Sequence, residues 1–331
     1  MSESCAKEVQ IKCADGMTLK GLRWTSTSTS TNTNTNEHNG GKNPLDNHST
    51  KILCLHGWLD NSASFDTLGP YVCSRYSDAT VVAVDLPGHG LSDHRPKSGP
   101  ITVLADFCYY VEEIVHCLGW NDSKIALIGH SMGAAISLLY AAAMPEQIKS
   151  LILLDSLGPH PKPADDLPAQ LRKHMTMRRS GNSKDLDGLF AGGTYPSKEV
   201  AIHTRMETAK VFPGDQWIRE ESATLLVERA STTMQEDGQL QFLHDARLKW
   251  PNLLTTTPEQ LKAAYAAVQC PTLILCGESG MPFSEQQKTA AESSIRYCRL
   301  DTLPGSHHFH LDPDTSGLVC ETVVDFLKET S

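Results

Sequence analysis

Short, strongly apolar runs that alternate with helix-like segments are the feature that most constrains the fold of this chain. From Lys51 onward these runs end in glycine, proline or polar residues and read ILCLHG, ATVVAVDLPG, KIALIGHS, IKSLILLDS and PTLILCGE. Runs this apolar are typical of strands that are covered on both faces, as in a parallel sheet. Residues 105–118 and 132–144 are predicted helices between them, so the pattern indicates an α/β domain with right-handed crossovers.

Two segments before the first of these runs set the expected domain boundaries. Residues 1–24 alternate apolar and polar side chains around Asp15-Gly16, which predicts an N-terminal hairpin of the sheet domain. Residues 25–50 form a low-complexity loop rich in Ser, Thr and Asn, with almost no apolar side chain to bury, so we expect it to be disordered. The first part of the sheet domain is expected to follow at residues 51–155.

A charged, helix-rich stretch separates two successive apolar runs later in the chain. More than a hundred residues lie between Asp155 and Pro271, far more than a crossover connection needs. We therefore predict a helical cap, poor in strands, at residues 156–268, inserted after the sixth strand. Residues 269–331 are expected to complete the sheet domain, with a last strand at 296–300 and a last helix at 315–328.

The net charge and the hydropathy of the chain limit the kinds of molecule or membrane that we expect it to bind. The net charge of −10 argues against broad nucleic-acid binding, which needs a basic face. The chain has no apolar signal region and no span of about 20 apolar residues, so we expect no membrane insertion and a cytoplasmic location. Its last residues do not match the usual peroxisomal tripeptide. The ten cysteines are scattered without a CxxC pair and are expected to be free thiols.

The segment Gly129-His130-Ser131-Met132-Gly133 fits the Gly-x-Ser-x-Gly motif in the setting that the motif requires. It follows a predicted strand and opens an Ala-rich predicted helix. A serine on so tight a turn needs glycines two residues to either side, because larger side chains there would clash. The start of the helix also directs N–H groups and a positive dipole end toward a developing oxyanion. Ser131 is therefore the predicted nucleophile.

A tetrahedral oxyanion needs two backbone donors, and the sequence offers one in an earlier loop and one directly after the serine. Leu55-His56-Gly57-Trp58 ends an earlier predicted strand, and we expect the loop that follows it to lie beside the nucleophile turn. The N–H groups of Trp58 and Met132 are the predicted donors. The Trp58 side chain is also expected to wall an apolar acyl pocket.

The base is expected in the His-rich tract GSHHFH at residues 305–310, which follows the last predicted strand. A serine hydroxyl needs a neutral imidazole nearby to accept its proton. His307, the first histidine after the small Gly-Ser pair, is the predicted base, and His308 is the alternative. The chain has no His-Glu-x-x-His motif and no cysteine cluster beside the tract, so we predict neither a metal site nor a cofactor.

The third member of the site must be a carboxylate that orients the imidazole. Asp155 ends the run IKSLILLD next to the predicted nucleophile strand, and Glu278 follows the run PTLILCG. Asp155 is favoured and Glu278 is the alternative, and either one gives the chain order serine, acid, histidine. The Gly- and Pro-containing segment DLPGHGLS at residues 85–92 is interpreted as a structural turn.

Together these motifs resemble the α/β-hydrolase superfamily over nearly the whole chain beyond the low-complexity loop. HGW, DLPGHGLSD, GHSMG and GSHH occur in the order of that family, and HGWLDNSASFDTL and LLDSLGP look more narrowly like the serine hydrolase-like proteins, sometimes called kraken-type. The resemblance implies an α/β fold with a mostly parallel eight-stranded sheet, helices on both faces and a helical cap after strand six. The family usually carries its acid after strand seven, where this chain has Gly280. Some related dehalogenases carry it after strand six, at a site that aligns with Asp155.

The resemblance also bears on the reaction. Related haloalkane dehalogenases and epoxide hydrolases use an aspartate nucleophile, so Ser131 argues against both of those activities. The expected function is hydrolysis of a carboxylic ester or thioester of a small-molecule acyl substrate by a two-step acyl-enzyme route. Hydrolysis of a C–C bond or a lactone is an alternative. A non-catalytic ligand-binding protein on the same fold is a third possibility, favoured by the missing strand-seven acid.

Overall fold

An eight-stranded sheet forms the centre of the molecule, which we describe from a computed structural model at residues 6–26, 50–96, 104–181, 193–233 and 238–331. The strands of these residues are, in chain order, β1 (Lys7–Lys12), β2 (Thr18–Thr25), β3 (Thr50–Leu55), β4 (Ala79–Val84), β5 (Ile125–His130), β6 (Ile148–Leu154), β7 (Thr194–Tyr195), β8 (Ser231–Thr233), β9 (Leu240–Phe242), β10 (Thr272–Ser279) and β11 (Cys298–Ser306). The large sheet has the order β1-β2-β4-β3-β5-β6-β10-β11. It is parallel from β4 to β11, whereas β2 pairs antiparallel with both neighbours. The predicted fold class is confirmed.

Helices cover both faces of this sheet. The helices of the described residues are, in chain order, α1 (Leu68–Arg75), α2 (Asp106–Cys117), α3 (Met132–Ala143), α4 (Leu167–Gly181), α5 (Lys198–Ala209), α6 (Glu220–Arg229), α7 (Pro258–Ala267), α8 (Glu285–Ser294) and α9 (Ser316–Glu329). On one face α1 and α9 bury their apolar side chains against the sheet, and on the other face α2, α3 and α8 do so. Strands β3 to β6 are therefore buried on both sides, which is why their sequences are almost continuously apolar.

The element boundaries agree with the sequence-based predictions except at the last strand. The two predicted helices and the last helix differ from the observed ones by no more than one residue at either end. The last strand, predicted at 296–300, instead runs from Cys298 to Ser306. This strand extends beyond the predicted end because it pairs in parallel with β10, from Thr272 opposite Cys298 to Ser279 opposite Ser306. Most of the predicted low-complexity loop, residues 27–49, lies outside the described residues.

The predicted cap range, residues 156–268, contains both helices and strands and is called the insert below. Helices predominate there, and its strands β7, β9 and β8 have only two or three residues each and form a small antiparallel sheet that no sequence pattern indicated. Strands of two or three residues are too short to show an alternating pattern in the sequence. The helices α5 and α6 share an apolar core that also includes Leu311 of the sheet domain. By contrast, α7 packs on α3, and its Tyr265 belongs to the main core.

The structure bears on two sequence-based expectations, one about membrane insertion and one about the state of the cysteine thiols. None of the described helices is long and apolar enough to cross a membrane. The nine cysteines among the described residues are free thiols. Cys54 and Cys276 are buried in β3 and β10, where they pack as small core residues.

A buried ion pair ties the insert to the sheet domain. Arg229, the last residue of α6, donates from Nε to both carboxylate oxygens of Asp85 at 3.0 Å, and it also pairs with Glu8 of β1. Asp85 is fully buried after β4, and its carboxylate accepts the N–H groups of Ser62 and Leu91 as well. The turn that begins at Asp85 is therefore a structural anchor, as its sequence indicated.

Replacement of Arg229 is expected to destabilise the protein strongly. Arg229→Met leaves the Asp85 carboxylate buried without its cation, so the free energy of unfolding should fall by about 3 kcal/mol. The control is Arg299→Met, because Arg299 pairs with Asp301 at the surface and such a pair contributes less than about 1 kcal/mol. Urea unfolding followed by tryptophan fluorescence measures both. Equal losses for the two variants would show that the Asp85 pair is not an anchor.

Candidate active site

Ser131 occupies a strained turn between β5 and α3. Its backbone lies in the left-handed region, with φ 51° and ψ −114°. A Cβ on Gly129 would lie 2.4 Å from the Gly133 carbonyl oxygen, and a Cβ on Gly133 would lie 2.0 Å from the Leu55 carbonyl oxygen. Both glycines are therefore required for the close approach of α3 to β5 and β3, for the steric reason that the motif suggested.

Asp155 and His307 are in direct contact. Nδ1 of His307 lies 2.5 Å from Oδ2 of Asp155, which directly follows β6 and is fully buried. The carboxylate also accepts two backbone N–H groups, Gly277 of β10 at 2.9 Å and Met281 of the loop after β10 at 2.8 Å. These bonds fix the carboxylate against Nδ1, so Nε2 is the ring nitrogen left for proton transfer.

Residue 280 is the position where the family usually carries its acid, and Asp155 fills the space that a side chain there would need. A Cβ on Gly280 would lie 2.2 Å from Oδ1 of Asp155. A side chain at 280 and a carboxylate from 155 therefore exclude each other, which explains why this chain has glycine there. Glu278, the alternative acid, is exposed to solvent near the end of β10.

The backbone of His307 is held from two sides. Its N–H donates to Oε1 of Gln216 at 2.8 Å, and its carbonyl oxygen lies 2.8 Å from Nε2 of His130. The neighbouring Ser306 hydroxyl donates to the carbonyl oxygen of Trp217 at 2.6 Å. Gln216 and Trp217 belong to the insert, and no sequence motif pointed to either of them.

His308, the alternative base, is engaged elsewhere. Its Nε2 lies 3.0 Å from Oδ2 of Asp60, whose other oxygen accepts Nη2 of Arg205 at 2.7 Å. Burial alone would raise the pKa of the Asp60 carboxyl, but His308 and Arg205 outweigh burial and hold that pKa well below its usual value. The site thus has two buried imidazole–carboxylate pairs, of which the second includes a cation from α5 of the insert.

This second pair is also the place where metal-ligating side chains converge. One donor atom each from Asp60, His130 and His308 lies within 4.8 Å of the others. The Arg205 guanidinium already occupies that place, 3.1 Å from Nε2 of His308. A metal ion there would have to displace Arg205, so this donor set fits a metal poorly.

The residues that supply the two predicted oxyanion donors, Trp58 and Met132, line one cavity together with Ser131. The N–H of Met132 is the first of α3 and has no partner within the helix. Among the described residues, no acceptor binds the N–H of Trp58. Leu59, the next residue, has a φ of 60°, so this loop is strained in the same way as the serine turn.

Two cavities open beside Ser131, and the Trp58 side chain lines both. The large cavity has a volume of about 570 Å³ and includes Met132 in its wall. The small cavity has a volume of about 260 Å³ and includes His307 in its wall. The indole Nε1 of Trp58 donates to the carbonyl oxygen of Leu248 at 2.9 Å, which fixes the ring in this position.

Comparison with known proteins gives a consistent result. The α/β hydrolase fold family matches residues 51–313. The chain is 28% identical over 298 residues to a serine hydrolase-like protein of Danio rerio, covering 86% of this chain and 83% of that protein. It is 31% identical over 287 residues to a probable serine hydrolase of Drosophila melanogaster, covering 84% and 81%. A solved structure of a hypothetical protein from Pseudomonas aeruginosa PAO1 superposes with a TM-score of 0.79 at 28% identity, covering 97% of this chain and 99% of that one.

The histidines packed beneath the site should make stability depend on pH. Burial lowers the pKa of His130 and His310 well below the usual value, so both are neutral in the folded protein. Below about pH 6.5 the unfolded chain binds protons that the folded chain excludes. This stabilisation is therefore complete above about pH 6.5 and is lost as pH falls, by about 1.4 kcal/mol per pH unit for each histidine.

His310→Gln should remove one such contribution between pH 6 and pH 5. Urea unfolding at several pH values measures the slope of stability against pH, and His116→Gln, at an exposed histidine of α2, is the control. An unchanged slope in His310→Gln would contradict the assignment of His310 as a buried neutral imidazole.

Proposed function

Because the chain belongs to the α/β-hydrolase superfamily and, within it, to the serine hydrolase-like proteins, we propose that it cleaves a carboxylic ester or thioester through an acyl-enzyme intermediate. The observation that carries the proposal is the 2.5 Å contact between His307 Nδ1 and Asp155 Oδ2, beside the strained turn of Ser131. A buried carboxylate oriented against an imidazole, next to a serine raised on a turn, is the arrangement that activates a serine hydroxyl.

In the first step the Ser131 Oγ attacks the carbonyl carbon of the substrate. The hydroxyl proton passes to Nε2 of His307, and Asp155 stabilises the imidazolium that results. The N–H groups of Trp58 and Met132 bind the oxyanion of the tetrahedral intermediate, and each such donor typically accelerates the reaction by about 10²–10³-fold. The bond from the carbonyl carbon to the leaving oxygen or sulfur then breaks, and His307 gives its proton to that atom.

In the second step water replaces the leaving group. The water oxygen attacks the acyl carbon while His307 takes a proton from the water, and the same two N–H groups bind the second oxyanion. The bond to Ser131 breaks, and the proton returns from His307 to the serine oxygen. The products are a carboxylic acid and the free enzyme, and every proton transfer uses side chains of this chain.

Covalent labelling tests the nucleophile directly. A fluorophosphonate probe should label the wild-type protein at Ser131, because only an activated serine attacks the phosphorus centre at a useful rate. Peptide mapping by mass spectrometry identifies the modified residue. Ser156→Ala is the matched control, since Ser156 lines the large cavity and its hydroxyl binds a backbone carbonyl. Labelling that survives Ser131→Ala would assign the reaction to another residue.

The acid is tested by two isosteric substitutions. Asp155→Asn should lower kcat for a 4-nitrophenyl ester by about 10³–10⁴-fold, because His307 loses the carboxylate that orients it. Glu278→Gln should change kcat little, since that side chain is exposed. Initial rates measure both effects, and circular dichroism shows whether each variant is folded. Equal and small effects would mean that neither carboxylate orients the base.

Moving the carboxylate from residue 155 to residue 280 distinguishes loss of the carboxylate from structural damage at residue 155 as the cause of a lower kcat. Asp155→Gly removes the carboxylate and tolerates the left-handed backbone at that residue, where φ is 47°. It also vacates the space beside Gly280, so the double variant Asp155→Gly/Gly280→Asp offers a carboxylate to His307 from the residue that directly follows β10. We expect the double variant to exceed Asp155→Gly in kcat by at least about tenfold. A double variant that is folded and no more active than the single one would refute this exchange.

A further inference from the structure

The small cavity differs from the large one in charge as well as in size. We infer that it binds the leaving group of the substrate and selects leaving groups that carry a carboxylate or phosphate. This inference rests on the proposed acyl transfer and adds the chemical class of the group that is released.

The positions of the proton carrier and of an oxyanion donor assign the two cavities. His307 must reach the leaving atom to protonate it, so the leaving group lies on the side of His307. His307 lines the small cavity, whereas Met132, whose N–H is a proposed oxyanion donor, lines the large cavity. With the leaving group in the small cavity on the side of His307, the large cavity is the one left for the acyl chain of the tetrahedral intermediate.

The walls of the large cavity suit an apolar acyl chain. Its inner surface is formed mainly by apolar side chains, among them Leu104, Phe107, Leu157, Leu261 and Phe283. The two arginines in its wall form ion pairs, Arg247 with Asp245 and Arg95 with Asp106, although the buried Nε of Arg95 has no hydrogen-bond partner among the described residues. The arginines are balanced by two carboxylates in the same wall, Asp155 and Asp245, so this cavity has no excess positive charge for a charged acyl group.

The small cavity carries an uncompensated positive charge. Asp60 is the one carboxylate among the described residues that line it, and Asp60 is already bound by Arg205 and His308. Lys249 also lines this cavity, is exposed, and has no carboxylate partner within the described part of the chain. An anionic group in the cavity would pair with Lys249.

A buried polar atom in the same wall also lacks a partner. His244 is 9% exposed, and within the described residues its Nε2 has no hydrogen-bond partner. Burial, together with Lys249, lowers the pKa of His244 to about 4, so its imidazole is neutral at pH 7. A neutral imidazole with a free ring nitrogen beside an unpaired ammonium group can hydrogen-bond a carboxylate or phosphate without adding repulsion.

Matched chromogenic esters test this selection. All carry the same hexanoyl group, and their leaving groups are 3-carboxy-4-nitrophenol and its neutral methyl ester, 3-methoxycarbonyl-4-nitrophenol. In the wild type we expect kcat/KM for the carboxylate ester to exceed that for the neutral ester by about fivefold, the range of an exposed ion pair. Added salt should reduce this ratio, since Lys249 is exposed. The hexanoyl ester of 4-hydroxyphenyl phosphate, followed by chromatography, shows whether phosphate is preferred to carboxylate.

Two lysine variants show whether the preference arises in the small cavity. Lys249→Met should bring the ratio of the two kcat/KM values close to one. Lys262 of α7 is also exposed and lines neither cavity, so Lys262→Met should leave the ratio unchanged. A ratio that stays high in Lys249→Met would overturn the assignment to this cavity.

The remaining outcomes separate this inference from the proposed function. Hydrolysis of the neutral ester at least as fast as the carboxylate ester would refute the anion preference and leave acyl transfer intact. Preferential hydrolysis of adipic acid mono-4-nitrophenyl ester over 4-nitrophenyl hexanoate would reverse the orientation, because its carboxylate lies on the acyl side. No turnover of any ester by a folded protein that also resists fluorophosphonate would overturn the proposed function, and the inference with it.

Discussion

The carboxylate of Asp155 is the group on which the geometry of the site depends. It is buried directly after β6, and it joins His307 to Gly277 of β10 and to Met281 of the loop after β10. A buried carboxylate must be satisfied by donors, and here these donors come from β10, from the loop after it and from the first residue after β11. The same carboxylate fills the space next to Gly280, so the choice of strand for the acid determines which residue the neighbouring strand can carry.

Backbone strain is concentrated where these loops meet. Leu59, Ser131 and Asp155 are the non-glycine residues with positive φ among those described, and they lie in the loop after β3, in the turn between β5 and α3, and directly after β6. Each such conformation costs on the order of 1–3 kcal/mol and persists only where surrounding contacts hold it. The parallel sheet supplies those contacts, because the carboxyl ends of β3, β5 and β6 meet at one edge.

The sequence predicted the parts of the structure that depend on local patterns. Apolar runs predicted the central strands, because burial on both faces leaves few polar positions in them. Turn chemistry singled out Ser131, and its order with Asp155 and His307 followed from their places at strand ends. Gln216 and Arg205 were missed because they contact the site only through the tertiary packing of the insert, and neither lies in a recognisable motif.

The missed residues change how the insert should be understood. A cap that only covered a pocket could vary freely, since its side chains would touch substrate and little else. Here Gln216 binds the backbone N–H of His307, and Arg205 binds the carboxylate that holds His308. The position of the proposed base therefore depends on the packing of the insert, whose residues also line both cavities. Substitutions in the insert that alter the substrate pocket are thus expected to alter the alignment of His307 as well.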